Sequence, residues 1–247
     1  MYSHCVAGGW IPGNKIDGIP SRVVRTHVAD TSLNPIPKGA DEQALVLLSD
    51  ILPTGVECGV LKGRVQPGST VAIVGAGLIG LAALLTAQFY APGAIVMIDL
   101  DDNRLEVARR FWRDRHDQQR RRQRGRGADE ADPQDRRRYR HRSGGHPRHI
   151  FELCRQIIAP GGTGANIGVH GKKADLHLEL LWDRNISITP RLVDTATIPM
   201  LFKTVAARKI DPMQPVTHHF ALDDSLAADD TFGDAAQTEA LTVIITV

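Results

Sequence analysis

The chain has 247 residues, enough for one large domain or two modest ones with a real core. Its 42% hydrophobic content is that of an ordinary globular protein, and its formal net charge is only +2. That charge is uneven: residues 112–150 carry thirteen arginines against six acids, a net of +7, which leaves −5 on the rest and no polyanion partner indicated outside one segment.

The three cysteines, Cys5, Cys58 and Cys154, are odd in number and widely spaced. They exclude a disulfide framework and fit a reducing, cytoplasmic setting. The N-terminus lacks the basic-then-apolar pattern of a signal peptide. Residues 71–100 are apolar enough to invite a membrane reading, which needs about 20 apolar residues. Gly75, Gly77, Gly80, Pro92 and Gly93 interrupt them, so a strand–turn–helix–strand reading fits better and no membrane association is expected.

In chain order, residues 1–40 are rich in Gly and Pro with short β-like pieces such as SRVVRTHVAD. Residues 41–62 read as a helix, broken near Pro53. Residues 70–74 form a short buried strand and 78–90 a helix; 94–98 form a second buried strand and 102–111 a second helix. This βαβα pattern points to an α/β fold with a parallel sheet. Beyond the arginine run, 151–158 reads as helix, 164–169 as strand, 176–182 as a short helix and 185–192 as strand. Residues 198–209 and 223–232 look helical, and 241–247 forms a last strand.

VAIVGAGLIG sets Gly75, Gly77 and Gly80 in the spacing G-x-G-x-x-G, after a strand and opening a helix. The first glycine makes the tight turn, the second admits a pyrophosphate to the backbone, and the third lets helix and strand pack closely. The helix N-terminus offers free N–H groups to the phosphates. Asp99 ends the next strand about 20 residues on, where such folds place the acid that holds a ribose diol. An acid there repels a 2′-phosphate, so NAD is favoured over NADP. Arg104 reads as a solvated helix residue within reach of the adenosine ribose. The competing reading is a glycine-rich turn that holds no ligand.

With LSDILPTGVECGV, the glycine fingerprint followed by IDLDDNR, and NIGVHGKK, the chain resembles the zinc-dependent medium-chain alcohol dehydrogenases. The matching pieces cover most of the chain outside 112–150. The resemblance implies a doubly wound Rossmann-type sheet plus remnants of a GroES-like, β-rich catalytic domain. It divides the chain into a truncated catalytic-domain remnant (1–53), an NAD-binding domain (54–195) and a return to the catalytic domain (196–247). It makes Asp50 a ligand of the catalytic zinc and places Thr54 against the nicotinamide. Gly168 and Val169 become backbone contacts of the nicotinamide ribose and carboxamide. Cys5 matches the last cysteine of the family's structural-zinc lobe, but one thiolate cannot hold a tetrahedral zinc. Without the family, Asp50 reads as a surface acid. Cys58 and Cys154 read as buried small hydrophobes. THHF resembles the strand by which the chain returns to the catalytic domain, with His219 where an Arg is expected.

The family reaction is NAD-linked, reversible oxidation of a small alcohol to an aldehyde or ketone, carried out by homo-oligomers. The resemblance also implies that the chain starts well inside a family member, with Met1 an internal methionine. The first catalytic cysteine, a histidine–glutamate pair and the proton relay would then precede it. A catalytic zinc needs about three protein ligands and an open position. On this reading the chain as written is inactive, and the alternative is a fragment or pseudogene product that at most binds a dinucleotide. A polyol or threonine dehydrogenase relative is a further alternative.

The arginine run occupies the place where the resemblance requires a strand, a helix and another strand. Its arginines cannot line a buried strand, because each unpaired buried charge costs several kcal/mol. As written it is expected to be disordered. Read one base later, WRDRHDQQ is compatible with GATATIN and RHRSGGHPRH with AIEAVGIPAT, both strand-like and both in place. The run therefore reads as an out-of-frame translation. An RNA-binding arm is the competing reading. It lacks interleaved aromatics beyond Tyr139 and any recognised nucleic-acid fold, so no specific nucleic acid is expected. His116, His141, His146 and His149 do not make a metal site.

Overall fold

The computed structural model describes residues 2–4, 21–26, 28–111, 147–171 and 173–247. Asp41 caps the first substantial helix, accepting the Gln43 and Ala44 amides at 3.0 and 3.3 Å. The single helix expected over 41–62 is three pieces: α2 (Glu42–Val46), α3 (Ile51–Pro53) and a π-helix, Thr54–Leu61. Pro53 supplies no N–H to the ladder, and the wider turn begins directly after it. The β-like reading of 21–30 is also corrected. The described part contains no strand, and α1 (Ala29–Ser32) is a single helical turn.

The βαβα reading holds. Strand β1 (Thr70–Val74) leads through the glycine turn into α4 (Leu78–Ala87), extended by a 3₁₀ turn over Gln88–Tyr90. Then come β2 (Ala94–Ile98) and α5, residues 102–111. β1 and β2 pair in parallel, with Ala72 opposite Val96. Beyond α6 (Pro147–Ile157), β3 (Thr163–Asn166) and β4 (Ser187–Pro190) form a second parallel pair. A single 3₁₀ turn, Leu178–Leu180, stands where a short helix was expected. α7 (Ile198–Ala206), β5 (His218–Ala221), α8 (Ser225–Gly233), α9 (Ala235–Thr238) and β6 (Val243–Thr246) complete the chain, with β5 and β6 parallel.

Among the described residues the strands thus form three two-stranded sheets, not one. A doubly wound sheet in the order 3-2-1-4-5-6 places a strand between β1 and β3. The expected strand–helix–strand falls on 112–146, outside the described residues. The expectation that β1 and β2 are buried is corrected too. No residue of either strand is fully buried, and Val96 is 42% exposed.

Helix α4 carries the core. Leu81 to Ala87 are all buried, because two clusters grip the helix from different sides. On one side Ala82 and Ala87 join Leu48, Leu52, Val56, Val60 and Leu201. On the other, Leu81, Leu84 and Leu85 meet Ala108 and Phe111 of α5, with Ile73 and Met97 from the strands. The π-helix approaches α4 so closely that a Cβ on Gly55 would lie 2.7 Å from the Ala82 carbonyl carbon and from the Ala83 nitrogen. Gly59 is nearly as tight, against Ile167 Cδ1 and Ala83 Cβ. Cys58, in the same π-helix, is fully buried, and burial pushes its thiol from 9.0 to about 11.

Two outcomes follow from this packing. Gly55→Ala should lower stability by about 1–3 kcal/mol or more, since backbone rather than a movable side chain stands in the way. A urea midpoint equal to wild type would refute the close approach. Cys58 should resist iodoacetamide at about pH 8 in the folded chain and react in urea, as peptide mass spectrometry would show. Its raised thiol pKa means the fold favours the protonated form. The stability it contributes is full below pH 9.0 and is lost as pH rises toward about 11.

Candidate functional site

The residues singled out in the sequence fall in three places around the π-helix and α4. The first is the glycine turn. Gly75 adopts φ +105°, which only glycine tolerates readily, and its N–H extends the ladder to the Ile98 carbonyl at 2.8 Å. Gly77 caps α4, accepting the Leu81 amide at 2.9 Å, and a Cβ there would meet open space. At Gly80 a Cβ would stand 1.8 Å from the Gly75 carbonyl oxygen. The turn is therefore closed beneath by Gly80 and open above at Gly77, a concave backbone surface at a helix N-terminus. A phosphate fits it.

Asp99 sits beside this turn but is less free than the sequence suggested. Its Oδ2 accepts the Ala76 amide at 2.6 Å and its Oδ1 the Asp101 amide at 2.9 Å. A carboxylate has about four acceptor positions, so one on each oxygen remains for a diol. The first bond ties the acid to the phosphate turn itself. Arg104 lies on α5 and pairs with Asp101, Nε to Oδ2 at 3.6 Å, at the capped start of that helix.

The second place is the start of the π-helix. Asp50 is exposed, and its Oδ1 accepts the Thr54 hydroxyl at 2.7 Å. Its backbone carbonyl also accepts the Thr54 amide, at 2.7 Å. Asp50 and Thr54, assigned separate roles by resemblance, here bond each other. Among the described residues no three His, Cys, Asp or Glu converge on a possible metal position. The described residues do not fit a zinc ion. Cys5 lies outside the described residues.

The third is an open cleft of about 430 Å³ beyond the ends of β3 and β4. Gly168 and Val169, which follow β3, line it, and Val169 is 76% exposed. Lys62, Asn166, Arg191 and Asp194 share the lining, and the sequence analysis named none of them. Behind the cleft is a buried charged cluster that it also missed. Glu57, 3% exposed, accepts the Asp194 amide through Oε2 and the Thr197 amide through Oε1, both at 2.9 Å. Oε1 also accepts the Thr197 hydroxyl at 3.0 Å. Arg191 lies 3.9 Å from Glu57 and donates to Asp194 at 2.6 Å. Ser3 donates its amide and hydroxyl to Asp194 at 2.9 and 2.6 Å. Burial pushes the Asp194 carboxyl up, but the Ser3 hydrogen bonds and the Arg191 charge outweigh it and hold the group below the ordinary carboxylate range. The sequence near Glu57 carries no signal for this cluster, because the partners of Glu57 lie more than 130 residues away.

No family model matches the chain. An alcohol dehydrogenase of Cupriavidus necator is 28% identical over 249 residues, covering 94% of this chain. The chain spans only 64% of that relative's length. A glutathione-independent formaldehyde dehydrogenase of Bacillus subtilis is 40% identical over 116 residues, 44% of this chain and 26% of that protein. The solved structure of zinc dependent alcohol dehydrogenase 2 from Streptococcus pneumonia, in its apo form, superposes with a TM-score of 0.78 at 40% identity. That match covers 100% of this chain and 70% of the other. Together with the fingerprint turn and the parallel strand pairs, this likeness establishes that the chain belongs to the zinc-type medium-chain alcohol dehydrogenase family.

Proposed function

We propose that this chain is the dinucleotide-binding part of an NAD-linked oxidoreductase of small alcohols and aldehydes. The observation that carries the reading is the turn between β1 and α4. Gly77 leaves open space above a helix N-terminus, Gly80 permits the close packing below, and the Asp99 carboxylate is anchored at its edge. NAD, when bound, would accept a hydride from the alcohol carbon. The chain's own part is to bind and orient. The α4 amides face the pyrophosphate, Asp99 takes the adenosine ribose and disfavours a 2′-phosphate, and the cleft at Gly168 and Val169 takes the nicotinamide end. The division into 1–53, 54–195 and 196–247, the cytoplasmic location and homo-oligomeric assembly belong to the same proposal. No helix among the described residues is long and apolar enough to cross a membrane.

No step through zinc is derived: among the described residues no ligand set gathers around Asp50, whose Oδ1 accepts the Thr54 hydroxyl. A second reading is that the chain as written binds the dinucleotide without turning over alcohol. It goes with the proposal that residues 112–150 are translated out of frame. Support comes from the one-base-later reading of both ends of the run.

Fluorescence titration of the full chain with NADH and NADPH tests the first reading. NADH should bind at least about tenfold more tightly, and Asp99→Gly should erase the preference. Absence of saturable NADH binding would sink it. Resequencing codons 105–155 tests the frame. A displaced base near codon 112, compensated near 150, is the expected result. A confirmed reading as written would remove that proposal.

A further inference from the structure

We infer that Glu57 is a positioning residue that clamps the 191–197 segment into place as the wall of the nicotinamide end of the site. This rests on the reading of the Gly168–Val169 cleft as that end. The segment leaves β4, lines the cleft through Arg191, Leu192 and Asp194, and enters α7 at Ile198. Over this stretch no strand or helix holds the backbone. One carboxylate ties it to the π-helix. Glu57 accepts two backbone amides, those of Asp194 and Thr197, and the Thr197 hydroxyl. A charged acceptor buried to 3% exposure makes each of these bonds strong and each loss expensive.

The clamp is tied at its other end to the fingerprint. Glu57 sits in the π-helix between Gly55, whose Cα rests on the backbone of α4, and Gly59, which rests on Ala83 and Ile167. Ile167 directly precedes Gly168 and lines the cleft. One short helix therefore touches the helix that faces the phosphates, the strand end carrying Gly168, and through Glu57 the opposite cleft wall. Arg191 is turned toward both acids, 3.9 Å from Glu57 and 2.6 Å from Asp194, so the guanidinium at the cleft is oriented by the same cluster.

Two measurements on the full chain separate this role from plain stabilisation. In hydrogen exchange, the Asp194 and Thr197 amides should be slow in wild type. Glu57→Ala should speed both by at least about tenfold. Glu57→Gln keeps one acceptor oxygen, so it should speed only one of them. In binding, NADH affinity should fall about tenfold in Glu57→Gln, while affinity for ADP, which fills only the fingerprint half, should stay within about twofold. If Glu57→Ala does not fold, Thr197→Val, which removes only the hydroxyl donor, should show a smaller loss of NADH affinity with ADP unchanged. Equal losses for ADP and NADH, or unchanged exchange at both amides, would overturn the inference. If wild type binds neither ligand, the reading of the cleft falls, and the clamp itself is then judged on the exchange rates alone.

Discussion

The close approach of the π-helix to α4 is the constraint on which the rest depends. Two helices normally lie 8–10 Å apart, kept there by their side chains. Here Gly55 removes the side chain at the contact, and a single added carbon would collide with backbone on α4. The approach brings Val56 and Val60 into the same cluster as Ala82 and Ala87, with Leu48 and Leu52 extending it toward α2. It also sets the distance between the phosphate turn at the head of α4 and everything the π-helix carries. That includes Thr54 at its start, Glu57 in its middle, and the Gly59 face against Ile167. A π-helix is an uncommon structure that tends to occur at functional sites, and here it links the parts of the candidate site.

Buried charge is costly unless it is paired and fully hydrogen-bonded. The Glu57–Arg191–Asp194 cluster meets that condition incompletely. The two carboxylates are well supplied with donors from Ser3, Thr197, Arg191 and backbone amides, but the Arg191 Nε is buried with no hydrogen-bond partner among the described residues. Replacing such a cluster with apolar residues would often cost little stability. Its value lies in geometry: charged acceptors fix the path of a backbone segment that has no ladder of its own. The Cys58 thiol beside it is held neutral by burial and by the nearby Glu57, Asp50 and Asp194 carboxylates, despite the opposing pull of Arg191. It acts as packing rather than chemistry, in keeping with the reading of Cys58 as a small hydrophobe. Cys154 is only partly buried and fits that reading less well.

What the sequence made legible was what local rules govern. The alternation of strand and helix from Thr70 to Phe111 follows from short apolar runs, a glycine turn and a capping Asp101, and each boundary fell within a few residues of its place. The fingerprint glycines could be given separate jobs because their spacing carries the physics. Illegible were the features made by distant partners. Nothing near Glu57 announces that Asp194 and Thr197 will donate to it. The Asp50–Thr54 bond is local, four residues apart, but the resemblance gave the two residues separate roles. The helix over 41–62 failed for a local reason that periodicity overlooked: Pro53 interrupts the ladder, and the glycines at 55 and 59 favour the wider turn that tight packing on α4 rewards.

The strand pairs show what a parallel sheet requires of its centre. In such a sheet each inner strand is paired on both edges and covered on both faces, which is why its strands read as continuous apolar runs. TVAIV and AIVMI have that composition, yet among the described residues they pair only with each other, with Ala72 exposed and Val96 42% exposed. β3 and β4 form another pair. The sequence of β1 is thus written for a setting richer than the one it has among the described residues, while its glycine turn is fully formed. The two requirements are separable. The turn depends on Gly75, Gly77, Gly80 and the bond from Ala76 to Asp99, all local to one βαβ unit. The cleft depends on β3 and β4 being held against that unit, and the contacts that hold them run through Gly59 to Ile167 and through the Lys62 carbonyl to the Thr189 hydroxyl. The phosphate cradle can therefore form from local sequence alone, whereas the nicotinamide end is held to it by the π-helix and the residue that follows it.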